Sequence, residues 1–96
     1  MSPKNKIKLN LLRKKLDKLD YQLLKTIKLR TEIVKKVLTL KSFKKEIIDK
    51  KRISVILKKI KKESLKRNID PKITKRIWIN IIGSYIDFEK RNFNKK

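Results

Sequence analysis

The chain has 96 residues, room for one domain with a modest core, and it carries neither histidine nor cysteine. That composition removes disulfides, thiolate chemistry and the common zinc sites, along with the usual general base at neutral pH. Thirty-one Lys and Arg against nine acids give a formal charge of +22, which points first to a nucleic-acid binder. The excess is almost all lysine, however, and accompanies many Ile and Asn, three residue types with AT-rich codons. The lysines are also spread as solvated pairs, Lys14–Lys15, Lys35–Lys36 and Lys58–Lys59, with no basic tail or arm.

With one glycine and two prolines in the whole chain, long helices are expected. The first should begin after Ser2-Pro3, where proline suits an opening turn. Its apolar positions run Leu9, Leu12, Leu16, Leu19, Leu23, Ile27, Val34 and Val37. Steps of three and four make a helical stripe, not a strand pattern. Ser42 to Ile48 breaks the rhythm and reads as a loop. Asp49 is an N-cap for a second helix with Ile53, Ile56, Leu57 and Ile60 inward. Asn68 to Asp70 make a turn, and Asp70-Pro71 starts a third helix with Ile77, Trp78, Ile81, Ile82, Tyr85 and Ile86 on one side. The expected plan is all-α, three helices of about 35, 17 and 23 residues forming one domain over residues 1–96. A first helix roughly 50 Å long cannot be covered on both sides by two shorter ones. An intertwined homodimer is therefore expected. No signal peptide or membrane-length apolar run is visible, so a cytoplasmic chain with no membrane partner is expected.

Two cations fall inside the apolar stripe of the first helix. In the run Leu23, Ile27, Arg30, Val34, Val37, Lys41, Arg30 and Lys41 share a face about 16 Å apart along the axis. A buried cation without a partner is costly, so a small anion between them is expected. The plain alternative is that both side chains snorkel to the surface at a helix edge. Arg13 lies roughly 25 Å before Arg30 on the same rod and cannot reach a ligand held there. In an antiparallel dimer it would enter the other chain's site.

These residues carry a family resemblance. The run Leu12-Arg13-Lys14-Lys15-Leu16-Asp17-Lys18-Leu19-Asp20 with Leu23-Leu24 resembles the opening of the all-helical (AroQ-class, type II) chorismate mutases. It continues through Arg30-Thr31-Glu32-Ile33-Val34, Lys41, Ile48-Asp49-Lys50-Lys51-Arg52, Ile69-Asp70-Pro71 and Ile81-Ile82-Gly83-Ser84-Tyr85-Ile86. The resemblance implies that chorismate is rearranged to prephenate in an Arg/Lys cage, without metal or cofactor. Arg13 of the partner subunit and Arg30 would bind the two carboxylates, and Lys41 the ether oxygen and one carboxylate. Asp49 would accept from the ring hydroxyl, and Arg52 would order that end of the site. Glu89 stands where the family has Gln or Glu facing the ether oxygen, and as a glutamate it should carry a proton when it acts. The plain reading of Glu89 is an exposed side chain pairing with a neighbouring lysine, and that of Asp49 a helix cap alone.

Ile53 replaces a glutamate common in the mutases, and Tyr85 a serine found in some. Both features are similar to the isochorismate-pyruvate lyases of the same fold, whereas Asp49 favours the mutases. The remaining readings are a basic nucleic-acid-binding dimer, against which the six aromatics offer no stacking platform, and a ligand-free dimerisation module, which leaves Arg30 and Lys41 unexplained.

Overall fold

The structure, a computed structural model, describes residues 1–94. Among them are three α-helices, α1 (Pro3–Leu40), α2 (Lys50–Lys66) and α3 (Pro71–Asn92), and no strand. The chain divides into two compact units, Met1–Ile33 and a second beginning at Val34.

The first unit is the greater part of α1. Ser2 opens the helix, its Oγ accepting from the Asn5 backbone N–H at 3.2 Å, and Pro3 takes the first helical position as expected. The stripe anticipated as an inner face is exposed here. Leu12, Leu16, Leu19 and Leu23 keep 55–59 % of their surface, because periodicity defines a face without supplying what covers it.

In the second unit α2 and α3 fold back on each other. Asp49 caps α2 by accepting from the Arg52 N–H at 3.0 Å, and Asp70 caps α3 by accepting from the Lys72 N–H at 2.9 Å. The intervening turn is a Schellman closure. Asn68 adopts a left-handed φ of 55°, which lets Ile69 N–H reach the Ser64 carbonyl at 2.9 Å and Asn68 N–H that of Leu65 at 3.3 Å. The two helices are pinned by buried Ser64 and Thr74, whose hydroxyl oxygens lie 2.7 Å apart. Ser64 Oγ donates to the Ile60 carbonyl at 2.6 Å, leaving it to accept from Thr74. Thr74→Val keeps the shape and removes that donor. It is expected to cost about 1 kcal/mol, read as a melting temperature lowered by a few degrees. An unchanged melting curve would show that the hydroxyl pair does not contribute.

Two details differ from expectation. The segment after α1 contains a 3₁₀ turn, Lys44–Ile47, rather than a plain loop. Glu46 Oε1 accepts from the Phe43 N–H at 3.0 Å and closes the turn, while Ile47 is 4 % exposed. Ile77 is exposed, whereas Trp78, Ile81, Ile82, Tyr85 and Ile86 are half-buried. The inward side of α3 thus runs through Thr74 and Trp78. No helix of the described chain is long and apolar enough to cross a membrane.

Candidate active site

The second unit holds a buried ion pair. Lys41 follows directly on the last residue of α1, its backbone N–H still bonded to the Leu38 carbonyl at 3.2 Å. Its Nζ lies 2.8 Å from Oε1 of Glu89 on α3, with side-chain exposures of 18 % and 8 %. Glu89 therefore reaches a cation 48 positions away rather than a helical neighbour, and Lys41 turns inward rather than snorkelling out. The short contact of an ammonium and a carboxylate is a charge-assisted hydrogen bond, stronger than a neutral one. Its burial fixes both side chains in direction.

Lys41 also belongs to an open hollow of about 520 Å³, lined by Lys41, Glu46, Ile48, Asp49, Lys50 and Lys51. Three ammonium groups and two carboxylates thus surround a space large enough for a small carboxylated molecule. Asp49 combines two properties in this place. One oxygen caps α2, and the residue itself is exposed and lines the hollow. The cap orients the carboxylate without consuming it, because a carboxylate has several lone-pair sites.

The remaining anticipated residues are distributed as follows. Arg52 is exposed in the first turn of α2, and Tyr85 is half-buried on α3. Arg13 is exposed and Arg30 half-buried on α1, both in the first unit. The structure thus brings Lys41 together with Glu89 and, around the hollow, with Asp49. Glu46 joins the hollow without having been singled out in the sequence. Its only sequence signal is its place three residues after Phe43, the spacing of a turn-closing carboxylate. Lys50 and Lys51 read as ordinary solvated lysines, and nothing in their spacing marks them as lining residues. No group of three or more His, Cys, Asp or Glu among the described residues is placed to hold a metal ion. The arrangement supplies fixed positive charge, one hydrogen-bonded ammonium–carboxylate pair and a helix-capping acid. Such a set can grip carboxylates and stabilise charge on an oxygen.

Neither the curated proteins nor the solved structures gave a match to this chain. The family model for chorismate mutase type II matches residues 12–90, which run from just before Arg13 to just after Glu89. On that match the chain belongs to the type II chorismate mutase family, and it is an isomerase.

Proposed function

We propose that the protein converts chorismate to prephenate in a site built from Arg30, Lys41, Asp49, Arg52, Tyr85 and Glu89 of one chain and Arg13 of a second copy. The observation that carries this reading is the buried Lys41–Glu89 pair at 2.8 Å. Both residues are assigned to the same ether oxygen, and two groups that serve one atom must stand within reach of each other. The reaction is a unimolecular pericyclic rearrangement, so a chain without histidine or cysteine lacks nothing it needs. Catalysis consists of holding the enolpyruvyl arm over the ring in a reactive conformer, and of stabilising the negative charge that grows on the ether oxygen.

Each residue has one task. Arg30 and Arg13 of the partner subunit clamp the two carboxylates, for which the planar guanidinium fork is suited. Lys41 donates to the ether oxygen as its bond to the ring breaks. Asp49 accepts from the ring hydroxyl, Arg52 orders that end, and Tyr85 lines the pocket. Lys41 can keep its bond to Glu89 while it donates to the substrate, since the ammonium has three protons to donate.

A second copy is needed on two grounds. The leucine stripe of α1 is a contiguous apolar surface of the kind that marks an interaction site, and Arg13 has no assigned partner within its own site. The cytoplasm is the compartment proposed with this activity.

The direct test is loss of chorismate absorbance with purified protein, with the products identified. Prephenate that disappears in Arg30→Ala supports the reading. Pyruvate from isochorismate, without prephenate from chorismate, would replace it by a lyase. Silence with both substrates, together with binding to duplex DNA that collapses in salt, would replace it by a nucleic-acid binder.

Glu89 gives this reading a further test. A charged carboxylate repels the developing oxygen anion, whereas an amide can donate to it. Glu89→Gln is therefore expected to keep prephenate formation within about tenfold of wild type, since it puts a neutral donor beside the ether oxygen. A loss as large as that of Arg30→Ala would remove Glu89 from this role.

A further inference from the structure

The tip of the α2–α3 hairpin carries a groove away from the Lys41–Glu89 pair and its hollow. It has a volume of about 390 Å³, and its floor is aliphatic: Leu57, Ile60 and Pro71. Its walls are lysine, Lys58 and Lys61 from α2 and Lys72 and Lys75 from α3. All four lysines are exposed, while the three floor residues are half-buried. No acidic side chain lines the groove, and none of the four takes part in an ion pair among the described residues. The acids nearest in sequence are otherwise engaged, Glu63 with Lys66 and Arg67 on α2 and Asp70 with the cap of α3.

Helical spacing extends this pattern along both walls. Leu65 stands four residues after Lys61 and Ile79 four after Lys75, so each shares the face of its lysines. Both are about half exposed, at 58 % and 48 %. The face therefore interleaves ammonium groups with aliphatic side chains around a concave floor.

We infer that this groove docks an acidic amphipathic segment of a partner protein, its aliphatic side chains on the Leu57–Ile60–Pro71 floor and its carboxylates against Lys58, Lys61, Lys72 and Lys75. The chemistry selects this occupant. A nucleic-acid backbone gains nothing from an aliphatic floor, and the groove offers its bases no aromatic ring on which to stack. A bilayer surface is flat and cannot enter a concavity between two helices. A small dicarboxylate gains nothing from the aliphatic floor of Leu57, Ile60 and Pro71. Lysines on flexible stems around an apolar trough suit a segment that brings both charge and bulk.

The test uses the 96-residue chain and a fluorescein-labelled helical peptide of glutamate and leucine. A second peptide has every leucine replaced by serine at the same charge. Because the whole chain is cationic, specificity is read by comparison. Joint Lys58→Glu, Lys61→Glu, Lys72→Glu and Lys75→Glu substitution is expected to weaken binding about tenfold or more. The same number of reversals on α1, at Lys15, Lys18, Lys25 and Lys28, should weaken it by only about threefold. The serine peptide should bind wild type as weakly as the leucine peptide binds the groove variant. Equal losses in the two variants, or equal binding of the two peptides, would overturn the proposal. So would a DNA duplex that depends on the four groove lysines more steeply than the peptide does. Where circular dichroism shows the groove variant unfolded, lysine acetylation of wild type decides the matter. Peptide-dependent protection of these four lysines, and not of those on α1, supports the groove. Unprotected lysines overturn it, as do lysines already shielded before peptide is added, which would mean that a second copy covers them.

Discussion

Lys41→Met is expected to lower kcat for prephenate formation by about 10²–10³-fold, the loss typical of removing one donor from a developing oxygen anion. Methionine keeps the length and apolar stem of lysine and deletes only the ammonium. It also leaves Glu89, 6 % exposed, without the cation that lies 2.8 Å away. A buried carboxylate stripped of its partner cation destabilises the fold by about 3–5 kcal/mol. Rate and stability therefore fall together in the single variant, and a second substitution separates them. In Lys41→Met combined with Glu89→Gln the buried charge is gone, so the melting temperature should recover. The rate should not, because the donor is still missing. Chorismate consumption and thermal melts on the three proteins read both quantities. A double variant that regains activity along with stability would make Lys41 a structural counter-ion and nothing more.

How much of this arrangement is visible in the sequence depends on how local its causes are. Asp49 and Asp70-Pro71 mark helix starts because a cap is settled within three residues, and both caps are found where the sequence places them. Asn68 can be read as a turn residue because few side chains tolerate its left-handed backbone. The leucines of α1 define a face by their spacing, but spacing does not say what covers a face, and in the single chain these side chains are exposed. In the same helix the buried residue is Leu38, off the expected stripe, in the part of α1 that belongs to the second unit. The Ser64–Thr74 pair leaves no periodic trace, since a hydroxyl contact between helices depends on register alone. Glu89 is the instructive case. Beside Lys90 and Arg91 in the last turn of α3, its composition suggests a solvated glutamate, yet its partner lies 48 positions upstream. Only a family resemblance that aims Lys41 and Glu89 at one atom brings the two together before any coordinates do.

The proposed dimer predicts an effect that a single chain cannot produce. If Arg13 serves the site of the other copy, Arg13→Ala and Arg30→Ala should each be inactive as homodimers, through loss of different halves of the carboxylate clamp. Mixing the two restores one complete site per heterodimer, the one that combines Arg30 of the first variant with Arg13 of the second. Random exchange makes half of the dimers mixed, and one of their two sites is intact, so about a quarter of wild-type activity should return. Exchange takes time, so activity should rise after mixing at a rate set by dimer dissociation. Placing aspartate at Leu16 and Leu23, both more than half exposed in the isolated chain, should prevent the rescue. Burying a charge in an apolar interface is costly, and such chains should sediment as monomers. Failure of the mixture to recover activity, with both variants folded and dimeric, would place Arg13 outside the site. Full activity of Arg13→Ala alone would do the same, and the leucine stripe would then need a different explanation from the one its arginine suggests.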